Sequence, residues 1–383
     1  MPQRLFGNVR PPENRLTAIR PQRAHGHESF RELPPPTGMP PFRMDLADVI
    51  GDAEAKAIEK AGCIAIHMVG DTGGVKYPIP QQIVANHMES QLHDPDRKKR
   101  PAFFYHLGDV VYFNGEAVQY YPQFYQPYEN YRVPIFAIPG NHDGMNLPGD
   151  SSLAGFVQNF CAPTPDLSPD AGDVDRAAMT QPNCYFTLRA PLVTIIGLYT
   201  NVPEGGKVRQ EQREWFVGEL KAAPRNRALL VCLHHPPLSM DNHHSGSTEM
   251  LDLLDGAFAD AKRVPHAVFA AHVHDFQRFT RVIGKRQVPF VVAGAGGYHN
   301  LHGMQKLDDG RDLPVPFGVG HDATLESYVD DYHGFLRLMI DAEELVGEYY
   351  AVPRPHESWS KPAERWDAFH LNLAAGKLVT PHA

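Results

Sequence analysis

The sequence predicts an α/β sandwich, with sheets packed on one another and helices outside. Three observations carry that prediction. Short apolar runs of strand length recur along the chain, several of them ending in Gly-Asp, Gly-Asn or His. Helix-spaced segments alternate with these runs through the first two thirds. Beyond that point strand-like runs dominate, and neither an internal repeat nor a second domain is evident.

Taken in order, residues 1 to 43 are rich in proline and arginine and lack apolar periodicity, so they read as an extended arm. Asp45 to Lys60 carries Leu46, Val49, Ile50, Ala53, Ala57 and Ile58 at helical spacing. Cys63–Val69 is a buried strand ending in Gly70-Asp71-Thr72-Gly73-Gly74. A helix over residues 80–92 and the basic turn Arg97-Lys98-Lys99-Arg100 follow, and this turn reads as a solvated loop. The run Ala102–Tyr105 then leads into His106-Leu107-Gly108-Asp109-Val110-Val111-Tyr112.

Glu116 to Tyr131 is helical in spacing, with a tyrosine stripe suited to packing. Val133–Ile138 is a strand ending in Pro139-Gly140-Asn141-His142-Asp143. Residues 163–183, acidic and broken by prolines, read as a surface insertion. Strands follow over 184–189 and 192–199, then a helix from Arg209 to Ala222. A strand over 227–233 ends in His234-His235-Pro236-Pro237. After a helix at 248–261, Ala267–Ala271 ends in His272-Val273-His274. Val288–Val292 leads into a glycine-rich turn, 335–340 and 344–350 form a hairpin, and residues 353–383 are a tail packed on the body.

Composition narrows the function classes. A formal net charge of -9 gives no general attraction to nucleic acid or to anionic membrane. No apolar run approaches a membrane span, and the N-terminus shows no export signal, so a cytoplasmic protein is expected. The four cysteines are widely spaced, and Cys63 and Cys232 sit in apolar runs where a buried free thiol is expected.

Five strand ends thus carry metal-ligating chemistry: Asp71, Asp109 with Tyr112, Asn141, His234, and His272 with His274. A carboxylate at a strand's carboxyl end lies where α/β sheets place ligands, and its two oxygens can bridge two cations. Oxygen and imidazole donors together suit zinc, iron or manganese. Each motif alone has a plain structural reading as a turn, a cap or a core histidine. Five together do not.

The ordered motifs GDTG, GDVVY, GNHD, LHHP and AHVH resemble those of the calcineurin-like metallophosphoesterases, and among them the purple acid phosphatases. The likeness runs from about residue 61 to 350. The family pattern has glycine where this chain has Ala271. Most relatives carry Asp-x-His at the first motif, whereas here that position is Gly73, and Tyr112 offers the missing ligand. Asn242-His243-His244 is placed like the plant-type histidine pair that contacts the substrate phosphate.

The resemblance implies a four-layer α/β/β/α sandwich with a binuclear site at the strand ends and a catalytic domain over 44–352. It implies a first site of Asp71, Asp109, Tyr112 and His274 holding iron. A second site of Asp109, Asn141, His234 and His272 would hold zinc, manganese or iron, with His235 beside it. His142, His243 and His244 are the implied catalytic histidines, with Asp143 a partner for His142, and His299 and His302 are candidates for the cleft's edge.

The implied activity is hydrolysis of a small phosphorylated substrate, as in an acid phosphatase, by a water that two cations acidify. A phosphodiesterase or nucleotide hydrolase on the same metals is the alternative. A non-catalytic metal binder and redox chemistry at a tyrosinate–iron centre stand further off.

Overall fold

A computed structural model describes residues 16–19 and 29–379. In chain order the elements are β1 (Arg43–Asp45), α1 (Ala47–Ile50), α2 (Asp52–Ala61), β2 (Cys63–Val69), α3 (Ile79–Gln91), β3 (Pro101–His106), β4 (Ile135–Ala137), α4 (Asn141–Gly144) and α5 (Ala154–Phe160). The middle of the chain supplies β5 (Phe186–Ala190), β6 (Val193–Gly197), α6 (Gln210–Ala222), β7 (Ala228–Cys232), α7 (Thr248–Ala261), β8 (Ala267–Ala270), β9 (Phe276–Ile283) and β10 (Arg286–Ala293). The last elements are β11 (Phe317–Gly320), β12 (Ala323–Val329), β13 (Gly334–Asp341), β14 (Glu344–Ala351), β15 (Glu364–Asn372) and β16 (Lys377–Val379).

Two mixed sheets result. One runs β1-β5-β6-β7-β8-β10-β9-β12-β11, the other β16-β15-β14-β13-β2-β3-β4. Their packing follows from period-two alternation along each strand. In β2, Ile64, Ile66 and Met68 face the other sheet, joined by Phe103 and Tyr105 of β3 and by Leu230, Cys232 and Phe269 from across the sandwich. The opposite face of the seven-stranded sheet, with Val69, Phe104 and Ile135, is covered by Ile83, Val84 and Met88 of α3 and by Phe156 and Phe160 of α5. The outer face of the nine-stranded sheet, with Leu229, Val231 and Val268, is covered by Phe216 and Leu220 of α6 and Met250 and Leu254 of α7. Three apolar interfaces separate four layers, as the sequence reading expected.

Several elements differ from that reading. The helix expected over 45–60 is split, because Gly51 takes φ 84° and Asp45 pairs with β5 instead. The aromatic segment after residue 116 forms a 3₁₀ turn (Ala117–Gln119) and a wide π-helical turn (Tyr121–Tyr125) rather than one α-helix, and Pro122 and Pro127 withhold backbone donors from a regular ladder. Its residues Tyr120, Tyr125, Tyr128 and Tyr131 are fully buried and pack. Strands β9, β11 and β12 were not expected, nor were β15 and β16 in the tail. Cys63 is only half-buried, while the other three cysteines are buried and free.

The proline-rich arm lies partly outside the described residues. Where described, it is tied down: Gly246 and Ser239 donate their backbone N–H groups to Ala18, and Gly38 bonds Pro182. Among the described residues, no helix is long and apolar enough to cross a membrane.

Candidate metal centre

Strands β2, β3 and β4 are parallel neighbours in one sheet, and β7 and β8 are parallel neighbours in the other. All five therefore end at the same rim of the sandwich, and the motif residues follow directly from them. Three of these, Asp71, Asp109 and His272, hold positive φ of 55°, 54° and 68°. Side chains rarely adopt that conformation, and it concentrates at functional sites.

The structure brings all ten candidate residues together. Tyr112 donates its hydroxyl to Asp71 Oδ1 at 3.1 Å and lies 3.4 Å from His274 Nε2, which is itself 3.5 Å from Asp71. On the other side, His234 Nε2 lies 3.1 Å from Asn141 Oδ1 and 3.4 Å from Asp109 Oδ2, and His272 Nδ1 lies 3.0 Å from the same Asn141 oxygen. Metal–ligand bonds of about 2.0–2.2 Å place neighbouring ligand atoms about 3.0–3.5 Å apart, and these separations match. The donor set of two carboxylates, a phenol, an amide oxygen and three imidazoles, all buried, fits transition ions.

Outer contacts aim these side chains. The Leu107 carbonyl accepts from His234 Nδ1 at 2.9 Å and the Asn300 carbonyl from His274 Nδ1 at 2.9 Å. A carbonyl can only accept, so each ring carries its proton there and presents the Nε2 lone pair inward. His272 donates its backbone N–H to Asp71 Oδ2 at 2.8 Å, and His142 does the same to Asp109 Oδ1 at 2.9 Å.

The buried groups of the site shift one another's protonation. Burial works to raise the Asp109 carboxyl, but His234, with His142 and His272, holds it well below the ordinary range. His234 is pushed up to about 9 by Asp109, against its burial. Burial keeps Tyr112 a phenol, reinforced by Asp71 and Asp109. Cations arriving here would displace those protons.

Glycines admit the close approaches. A Cβ on Gly140 would collide with the Asp109 carboxylate, so motif three can lie against motif two only with glycine there. A Cβ on Gly73 would sit 2.7 Å from the Tyr112 ring and 2.5 Å from Gln123 Oε1. Any side chain at 73 would therefore crowd both Tyr112 and Gln123, and glycine leaves room for them.

The implied partner of His142 needs correcting. Its Nδ1 bonds the Phe113 carbonyl at 2.8 Å, not Asp143, and its ring packs at a tilt with its centroid 4.5 Å from that of Tyr112. Asp143 is fully buried and instead accepts the backbone N–H groups of Val110, Val111 and Gly140 at 2.9–3.1 Å. It ties the loop after β3 to the loop after β4.

His244 lies against the second cluster, its ring 4.4 Å from His272, with His243 4.6 Å further out. His235 packs 4.4 Å from His272 and bonds Thr200. His302 borders the cleft, 4.3 Å from His274, whereas His299 packs on Tyr298, one ring further away.

Glu204 was missed by sequence reasoning. Its Oε1 is 3.0 Å from His244 Nδ1 and 3.8 Å from His272 Nε2, a nitrogen otherwise buried without a partner. Two histidines from different strand ends are thereby tied to one carboxylate. A lone glutamate in a glycine-rich loop carries no local signal of this. Asp241, which organises the His243–His244 turn, was missed for the same reason.

This site on this sandwich defines a metallophosphoesterase. The chain belongs to the calcineurin-like phosphoesterase family, whose model matches residues 65–276. Its fold is similar to that of the purple acid phosphatase PPD1 of yellow lupin (Lupinus luteus), at 16% identity and TM-score 0.57, covering 81% of this chain and 54% of that one. The chain therefore spans about half the length of the lupin enzyme. It is also similar to GAP50, the anchor in the inner membrane complex of Plasmodium (12%, TM-score 0.55, 81% and 89% covered), and to PhoD (12%, 0.53, 83% and 71%). No curated protein matches the chain.

Proposed function

We propose that the protein is a binuclear metal-dependent phosphomonoesterase of the acid phosphatase type. A phosphatase and an anchor share this fold, so the fold does not choose the activity; the site must. The carrying observation is the convergence of seven buried donors at metal-ligand separations, with three further histidines standing over them.

In this reading Asp71, Asp109, Tyr112 and His274 hold iron, and Asp109, Asn141, His234 and His272 hold zinc, manganese or iron. When bound, the ions neutralise phosphoryl oxygens and lower the pKa of water. The chain's own residues do the rest. His142, fixed at Nδ1 by the Phe113 carbonyl, offers Nε2 to the phosphate or the leaving oxygen. Glu204 holds His244 protonated above its ordinary range, against burial, so that the ring can donate to an anionic substrate. A small phosphate ester suits this histidine-lined cleft; nucleic acid and membrane are not among the proposed partners.

The test is a side-by-side assay of the metal-loaded protein on an aryl phosphate monoester and an aryl diester. Monoester hydrolysis faster by at least about tenfold is expected. A faster diester would give the site to the phosphodiesterase alternative.

Two variants probe the details. Glu204→Gln keeps the shape but removes the charge that raises His244, so the alkaline limb of the kcat/KM profile moves to lower pH. Maximal kcat/KM drops about 10–100-fold, as for outer-shell partners of metal ligands. An unchanged profile would remove Glu204 from the mechanism. Ferric loading should give a visible phenolate absorption band that is lost in Tyr112→Phe; a colourless iron-loaded protein would displace Tyr112 as a ligand.

A further inference from the structure

From a second histidine cluster beside the binuclear centre, we infer a third divalent-cation site, formed by His243, His244 and His302. It shares no residue with the seven donors above, and nothing in the family resemblance requires it.

The three rings form a closed triangle. Their centroids lie 4.6 Å (His243–His244), 4.9 Å (His243–His302) and 5.3 Å (His244–His302) apart. One nitrogen from each falls within 4.8 Å of the other two, a spacing that small side-chain rotations close around one ion. The burial is graded, with His302 buried, His244 half-buried and His243 exposed, so the cluster opens to solvent on one side. A site with three imidazoles and one open position is the arrangement zinc takes where it keeps a labile fourth ligand. Imidazole donors select zinc-like ions over magnesium or calcium.

The surroundings are those of a prepared site. Asp241, with no exposed surface, accepts the backbone N–H groups of His243 at 2.8 Å and His244 at 2.9 Å, which fixes the turn carrying both rings. The same carboxylate lies 3.1 Å from His302 Nδ1. It accepts a hydrogen bond from the protonated Nδ1, which leaves the lone pair of His302 on Nε2. A carboxylate behind a histidine is the usual outer partner of a metal-binding imidazole. One buried acid thus sets the position of all three donors.

The site abuts the first two. His302 stacks 4.3 Å from His274 and His244 lies 4.4 Å from His272. An ion held here takes over the lone pairs of the two histidines that would otherwise meet the phosphate. Zinc in excess of two equivalents therefore inhibits. This effect on turnover rests on the phosphatase reading, whereas the ion count does not.

The experiment counts zinc by equilibrium dialysis of the full chain and follows aryl phosphate hydrolysis against free zinc. Wild type stripped of metal beforehand is expected to bind three equivalents, zinc filling the iron position as well, with turnover falling as the third fills. His302→Gln and His243→Ala should each bind two, and their inhibition should shift to free zinc at least about tenfold higher. His243 is exposed, so its truncation leaves folding intact. Two equivalents in wild type, or three in both variants, would overturn the site. Asp109→Asn separates the two readings. Retention of the third ion with loss of the pair supports both, three ions unchanged overturns the pair, and loss of all zinc overturns an independent third site.

Discussion

Asp109→Asn is expected to lower kcat/KM for an aryl phosphate by at least a factor of about a thousand, or about 4 kcal/mol of transition-state stabilisation. Asp109 is the residue placed between both donor groups, 3.4 Å from His234 and bonded to the His142 backbone N–H. The amide keeps the size and can still accept that N–H. What it loses is the negative charge and the second anionic oxygen with which Asp109 would serve both cations in the proposed reading. Metal content should fall in parallel. The metal-free variant should melt below the metal-free parent at neutral pH, because the buried Asp109–His234 pair is lost. Near-normal turnover with both ions retained would remove Asp109 from the bridging position.

Asp143→Ala carries the largest expected effect on stability, about 3–5 kcal/mol. Three buried backbone donors, those of Val110, Val111 and Gly140, lose their acceptor together, and each orphaned group costs about 1–3 kcal/mol, offset in part by removal of a buried carboxyl. Burial, and then Asp109, push this carboxyl up to about 6 against the pull of those same donors. Asp143→Asn, with one acceptor oxygen left, should recover about half of the loss. Denaturant unfolding of both variants gives the comparison. Equal stability of Asp143→Ala and wild type would show that water or a shifted loop satisfies these donors. Activity should fall as well, since the loops tied by Asp143 present Asp109 and Asn141.

The strands that carry the site were the most legible part of the chain. β2, β3, β7 and β8 are buried on both faces, so they read as continuous apolar runs, and each ends in an abrupt change to Gly, Asp or His. Among the missed strands, β9 is mostly buried but interrupts its apolar residues with Gln277, Arg278, Thr280 and Arg281, and others have a face that meets solvent. β15, with Glu364, Arg365 and Asp367, has too little apolar content to announce itself, and β12 interleaves Thr324, Glu326 and Ser327 with its apolar residues. The aromatic segment was misread because its 3.6-residue spacing was weighed without its prolines.

At the site, the ligand motifs were legible because each is local, a strand end and its next three residues. Glu204 and Asp241 were not. Their meaning depends on which loops meet, and Glu204, in the loop after β6, reaches His272 after β8 only once β6, β7 and β8 lie side by side. Asp143 was noticed but paired wrongly, since adjacency to His142 in sequence suggested a contact that the turn geometry gives to backbone amides.

The crowding at Gly73 has a consequence for how such sites can change. A side chain at 73 meets both the Tyr112 ring and Gln123 Oε1, and that same oxygen accepts the Tyr112 backbone N–H at 3.0 Å. Positions 73, 112 and 123 are therefore expected to be coupled, so that exchanging the phenol for an imidazole here takes changes at all three rather than at one.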